Sequence, residues 1–165
     1  MSRTWSLKTN SQLGLDEVSA WLTDSGNWNE ATISQEHQRL VTTSPDSSLT
    51  LIGVDHMKKR PGLANIVDDS LGCPSTLIFL LQLSRKVDHC GRLDEIFDFA
   101  FRFASLDESC NLYFKLEDCG IFKRIDGQYV VNPDQFFAKS LASFLTFPYV
   151  LAGSSTRTEL TVSQE

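Results

Sequence analysis

Between Cys73 and Pro148 nearly every run of apolar positions has both a start and a stop signal. Pro74 can serve as the first residue of a helix in which Leu77, Leu80, Leu81 and Ser84 share a face, ending at Arg85-Lys86 where cations favour the carboxyl end. A second helix is predicted from about Leu93 to Ala104, with Asp94 and Glu95 in its first turn and Ile96, Phe97, Ala100 and Phe103 as apolar contacts. Phe97, Phe99, Phe101 and Phe103 recur at every second position, so they surround a helix instead of lining one face. Two readings follow: burial on several sides, or a strand at that place. A third helix is expected to begin near Leu106 or Asp107 and to end at Gly120, a residue type that tolerates the left-handed conformation past a helix end.

After Gly120 the period changes from helical to alternating. Ile121-Phe122-Lys123-Arg124-Ile125 and Gln128-Tyr129-Val130-Val131 flank Asp126-Gly127, a strong two-residue hairpin signal. Asn132 then caps, Pro133 takes the first helical position and Gln135 the third, opening a fourth helix that carries Phe136, Phe137, Leu141, Phe144 and Leu145 until Pro148. In the amino-terminal part, Asp16 caps a short helix with Val18, Trp21 and Leu22 on one face, and Gly26 stops it. Arg39 to Val54 reads as a hairpin around Ser44-Pro45-Asp46-Ser47. Lys58-Lys59-Arg60, before a Pro-Gly break, reads either as a solvated loop or as a phosphate-contacting site. The organisation expected is an amino-terminal extension over residues 1–70, a second unit over 71–150 and a polar tail over 151–165.

Composition narrows the functional classes. A chain of 165 residues with 41% hydrophobic and 22% charged residues has enough apolar material for a real core, and a net charge of −6 argues against a protein that coats nucleic acid without preference. The longest apolar run, Ser75 to Leu83, is too short to span a bilayer, and the first residues lack a signal-peptide pattern, so a cytoplasmic protein is expected, or one inside a host cell if viral. Cys73, Cys90, Cys110 and Cys119 lie at irregular wide spacings, and His37, His56 and His89 are isolated apart from the pair His89-Cys90. Neither a metal site nor a cofactor is expected. No phosphate loop, G-x-S-x-G or H-E-x-x-H is present, so the chain is not read as an enzyme.

Tyr113-x-x-Leu116-x-x-x-Gly120-Ile121-Phe122-x-Arg124, followed by Gly127-x-Tyr129-Val130-Val131-Asn132-Pro133 and Phe136-Phe137, resembles the carboxyl half of winged-helix plasmid replication proteins of the RepL type. The resemblance covers Pro74 to about Ser140. It implies an α+β chain with a winged helix-turn-helix core, three helices plus a β-hairpin wing, between an irregular amino-terminal extension and a carboxyl-terminal helix. It also implies a DNA-binding protein of replication initiation or transcriptional regulation. Its partner would be double-stranded DNA, contacted by Ser109, Asn111 and Lys115 of the third helix and by Lys123, Arg124 and Gln128 of the wing. Lys123 and Arg124 are equally readable as the solvent-facing residues of a hairpin. The fourth helix, through Phe136, Phe137, Leu141 and Phe144, would form a homodimer interface.

Charge departs from this pattern. The would-be recognition helix carries Asp107, Glu108, Glu117 and Asp118 against one cation, Lys115, and carboxylates are repelled by DNA. The second class of function is therefore a non-catalytic protein-interaction or assembly protein, matrix-like if viral, that binds a protein partner and does not read DNA.

Overall fold

The computed structural model describes residues 3–84, 92–134, 141–153 and 160 of the chain. Strand β1 (Thr4–Thr9) leads into helix α1 (Leu15–Ser25), and strands β2 (Thr32–Ser34), β3 (Arg39–Thr43) and β4 (Leu49–Asp55) follow as a meander. A short helix α2 (His56–Lys59) and a 3-10 turn (Pro61–Asn65) open a long connection to β5 (Leu77–Leu83). Helix α3 (Leu93–Leu106) precedes strands β6 (Leu112–Leu116), β7 (Cys119–Ile125) and β8 (Gln128–Val131), and β9 (Tyr149–Leu151) is the last element among the described residues. Among the described residues, nine strands form one sheet in the order β2-β3-β4-β5-β1-β6-β7-β8-β9, with only the β8–β9 pair parallel. The amino-terminal strand is central: Trp5 lies opposite Leu81 on one side and Leu116 on the other. Residues 1–70 and 71–150 thus contribute strands to the same sheet.

This architecture overturns the winged helix-turn-helix core. The predicted first helix is the strand β5, and the predicted third helix is a turn followed by β6 and the start of β7. In β5 the run Leu77-Ile78-Phe79-Leu80-Leu81-Gln82-Leu83 satisfies a helical face at Leu77, Leu80 and Leu81 by coincidence, because almost every position is apolar. Burial alternates along it instead, with Leu77, Phe79, Leu81 and Leu83 inside. A short apolar run of this kind takes its state from its neighbours, and here it is hydrogen-bonded between β4 and β1. Leu112, Phe114 and Leu116 likewise alternate inward. Glu117-Asp118, read from sequence as the acidic end of a helix, is the turn between β6 and β7, with Glu117 at φ 51°.

Other expectations match what is observed. The helix α1 stops at Gly26, although its amino end is at Gly14 and Asp16 lies within the first turn. The β3–β4 hairpin turns at Ser44–Ser47, where Asp46 Oδ1 accepts from the Ser44 and Ser48 hydroxyls and the Ser48 amide. The β7–β8 hairpin turns at Asp126-Gly127, both with positive φ (50° and 82°), as a two-residue turn matched to strand twist requires. Asn132 makes a local turn, accepting from the Asp134 amide. Phe136 and Phe137 of the predicted fourth helix lie outside the described residues.

Helices α1 and α3 cover one face of the sheet, and α3 explains its phenylalanines. All four are buried. Phe97 meets Trp5 and Phe114, Phe99 and Phe103 meet Phe79 and Trp21, and Phe101 stacks on Phe122 at 4.3 Å and on Phe144 at 5.4 Å. Sheet below, α1 on one flank and the segment around Phe144 on the other leave the helix one solvent-facing stripe, with Asp94, Glu95, Arg102 and Ser105 exposed. Burial on several sides, one of the two readings of the spacing, is the arrangement found. Each such ring contributes roughly 1.5–3 kcal/mol by burial and each well-placed ring pair about 0.5–1.5 kcal/mol more.

Candidate functional site

The residues expected to contact DNA are split: Lys115 and Lys123 share a sheet face, whereas Asn111 and Arg124 are buried. Asn111 is buried: its side-chain nitrogen donates to Leu71 O (3.0 Å) and its oxygen accepts from the Asp126 amide (2.9 Å), bracing the hairpin against the loop before β5. Ser109 stands in the turn after α3 and donates to Asp107 Oδ1 at 2.9 Å. Burial works to raise the Asp107 carboxyl, but hydrogen bonds from the Ser11 and Ser109 hydroxyls outweigh it and hold the group below the usual carboxylate range. Lys115 and Lys123 lie on strands β6 and β7 on the sheet face opposite the helices, and Gln128 is exposed at the start of β8.

Arg124, expected on the wing surface, is 3% exposed and points to the helix side. Its Nε donates to Cys110 O (3.0 Å), Nη1 to Ala104 O (2.8 Å) and to the Tyr129 hydroxyl (3.1 Å), and Nη2 to Asp107 O and Cys110 Sγ. Three of these acceptors are carbonyls at the end of α3 and the turn beyond it, where a cation compensates the negative end of the helix. Two residues expected at a dimer interface are also engaged within the chain. Leu141 is 1% exposed within the main core, and Phe144 packs against Phe101 of its own chain.

Two polar constellations have chemistry to consider. His56 Nε2 lies 2.8 Å from Ser75 Oγ, a base and hydroxyl within hydrogen-bond reach. Burial, chiefly, pushes the His56 imidazole below its ordinary 6.5. The Ser75 hydroxyl is 8% exposed and also faces Thr9 O at 3.4 Å, while Asp55, beside His56, accepts from the Lys58 amide. The group therefore ties α2 to the junction of β1 and β5. An open cleft of about 630 Å³ lies over the start of α3, lined by Trp28, Asp46, Arg92, Asp94, Glu95 and Asp98. Arg92 bridges it, 2.8 Å from Asp46, and this hydrogen bond holds Asp46 well below the usual carboxylate range. Among the described residues no three His, Cys, Asp or Glu side chains gather to hold a metal, and no helix is long and apolar enough to cross a membrane.

The feature missed from sequence is the other face of the sheet. Pleat alternation and the strand register put Val41, Ile52 and Leu80 in one cross-strand row and Val54 and Ile78 in the next. These five aliphatic residues on three adjacent strands are half-buried, and among the described residues they belong neither to the main core nor to the small second cluster. Among the described residues, that second cluster, built from Leu71, Tyr113, Val130, Ala152 and Leu160, covers the same face over β6 and β8. The connection after α2 is tied to β1 by an ion pair between Lys8 and Asp68 at 2.8 Å, and carries Ile66 and Val67 at 59% and 57% exposure. The signal was present in β5, whose apolar residues on both parities are more than a one-sided strand needs.

No protein-family model matches the sequence, and neither the curated proteins nor the solved structures compared with it contain a match.

Proposed function

We propose that this chain is a non-catalytic interaction protein that receives a protein partner on the open face of its sheet. The observation that carries the reading is the contiguous aliphatic patch of Val41, Ile52, Val54, Ile78 and Leu80 outside both cores. A contiguous aliphatic patch on a sheet face marks a site of protein contact, and aliphatic side chains with few hydrogen-bonding groups favour a protein surface over a polar small molecule. Two observations favour this reading over DNA binding: Ser109, Asn111 and Lys115 do not share a helix, and the Arg124 guanidinium is engaged inside the fold. An acidic chain of net charge −6 also gains little from a polyanion in general.

The test is capture of partners by the full chain from its native cells, quantified by mass spectrometry, with Leu80→Asp compared against Ala20→Asp, a control at an exposed position of α1. At least one protein retained by the wild type and by Ala20→Asp is expected to be lost with Leu80→Asp. Identical capture by all three would contradict the proposal.

A further inference from the structure

The open face is bordered by cations, although the molecule as a whole is acidic. Register places Arg39 beside Val54, Lys8 beside Ile78, and Lys115 beside Ser6, which itself pairs with Leu80. The cross-strand row therefore reads Arg39, Val54, Ile78, Lys8, Tyr113, Lys123, and the next reads Val41, Ile52, Leu80, Ser6, Lys115. One acid, Asp68, lies on this rim and pairs with Lys8, while on the helix side Asp16 and Glu17 of α1 and Asp94, Glu95 and Asp98 of α3 stand with Arg92 and Arg102. With strands about 4.8 Å apart, the aliphatic stripe over β3, β4 and β5 is about 10 Å wide and the cation columns at β3 and β1 stand about 14 Å apart. An α-helix with its side chains is about 10–12 Å across.

From this geometry we infer that the partner, on the docking reading above, presents an amphipathic helix with an apolar stripe flanked by acidic residues, lying along the strands between Arg39 on one side and Lys8 and Lys115 on the other. Helix-in-groove recognition needs apolar anchors at helical spacing and complementary charges at the rim. A single-stranded nucleic acid would instead need rings on which bases can stack, and the one aromatic residue in these rows, Tyr113, is 2% exposed. The Lys8–Asp68 pair belongs to the same rim, so that arrival of a partner carboxylate beside Lys8 competes with Asp68 and acts on the connection bearing Ile66 and Val67.

The experiment uses the full chain and two labelled helical peptides of equal length with the same leucine stripe, one with glutamates and one with lysines along its polar flanks, together with a labelled DNA duplex. Fluorescence anisotropy over a salt series is expected to give at least tenfold tighter binding of the acidic peptide at low salt, with the difference shrinking as salt rises. Charge reversal at Arg39→Glu with Lys115→Glu should invert the preference, and Ile52→Asp should weaken both peptides. Equal affinity for the two peptides, or preference for the basic one, would overturn the partner chemistry, while their shared loss in Ile52→Asp would leave the docking face standing. Peptide binding indifferent to Ile52→Asp would overturn the docking face itself. Duplex binding that exceeds that of the acidic peptide and disappears on Arg39→Glu with Lys115→Glu would replace the proposed partner by a nucleic acid. Circular dichroism of each variant confirms that the sheet is intact.

Discussion

At the scale of single residues, Arg124 carries more of the fold than its place beside a hairpin turn suggests. A buried guanidinium is tolerable only if its donors are satisfied, and here they close the carbonyls of Ala104, Asp107 and Cys110 at once. Lysine cannot reproduce that fork. Arg124→Lys is expected to lower stability by about 3 kcal/mol, because buried carbonyls are left without donors, and urea unfolding monitored by tryptophan fluorescence measures it. In the sequence Arg124 looked like a surface cation because Ile121 and Phe122 are both apolar, so the parity of β7 does not say which side is inside. His56 gives a pH prediction. Burial favours the neutral ring, so the folded chain binds the proton less tightly than the unfolded chain, whose histidine titrates near 6.5. Stability from this group is full above about pH 7 and falls as pH drops through that value. Comparing urea midpoints at pH 7.5 and 5.5, His56→Gln should show a smaller fall than the wild type.

At the scale of elements, the hairpin turns and the stop of α1 at Gly26 were legible because their chemistry is local, whereas the state of apolar runs, and the helix caps expected at Asp16, Pro74 and Gly120, were not. Gly26, Ser44–Ser47 and Asp126-Gly127 each specify a backbone shape through their own side chains or their lack of one, and each sits where expected. Leu77–Leu83 carries no such information: its apolar residues fit a helical face and two strand faces equally, and the choice is made by β1 and β4, which are distant in sequence. The same holds for Leu112–Leu116, where the acids of a turn were mistaken for those of a helix end. Gly53 marks a second place where an element depends on its neighbours. A Cβ there would lie 3.0 Å from the Phe79 ring, which in turn packs on Phe99 and Phe103. Gly53→Val should therefore cost about 1–3 kcal/mol by overpacking, despite valine's preference for strands. At the hairpin, Gly127→Ala should cost about 1 kcal/mol, since φ is +82° there. Thermal unfolding of both variants checks these values.

At the scale of the molecule, the sheet is sided: helices and aromatic rings cover one face, and aliphatic residues flanked by Arg39, Lys8 and Lys115 line the other. The individual residues of the open face could be named from sequence, but not the fact that they meet. Val41, Ile52 and Leu80 become neighbours only once β4 is paired with both β3 and β5, which is a property of topology. The proposed docking role depends wholly on that sidedness, and adjacent residues of β5 test it. In a helix Leu80 and Leu81 would share a face, and in the strand they point to opposite ones, Leu81 with no exposure and Leu80 half-buried. The measurement is urea unfolding of Leu80→Asp beside Leu81→Asp. Placing a carboxylate in the core should cost Leu81→Asp more than about 4 kcal/mol or abolish the cooperative transition, while Leu80→Asp should lose about 1–2 kcal/mol and keep the wild-type cooperativity. Equal losses at the two positions would mean that both side chains are enclosed, and would contradict an open sheet face.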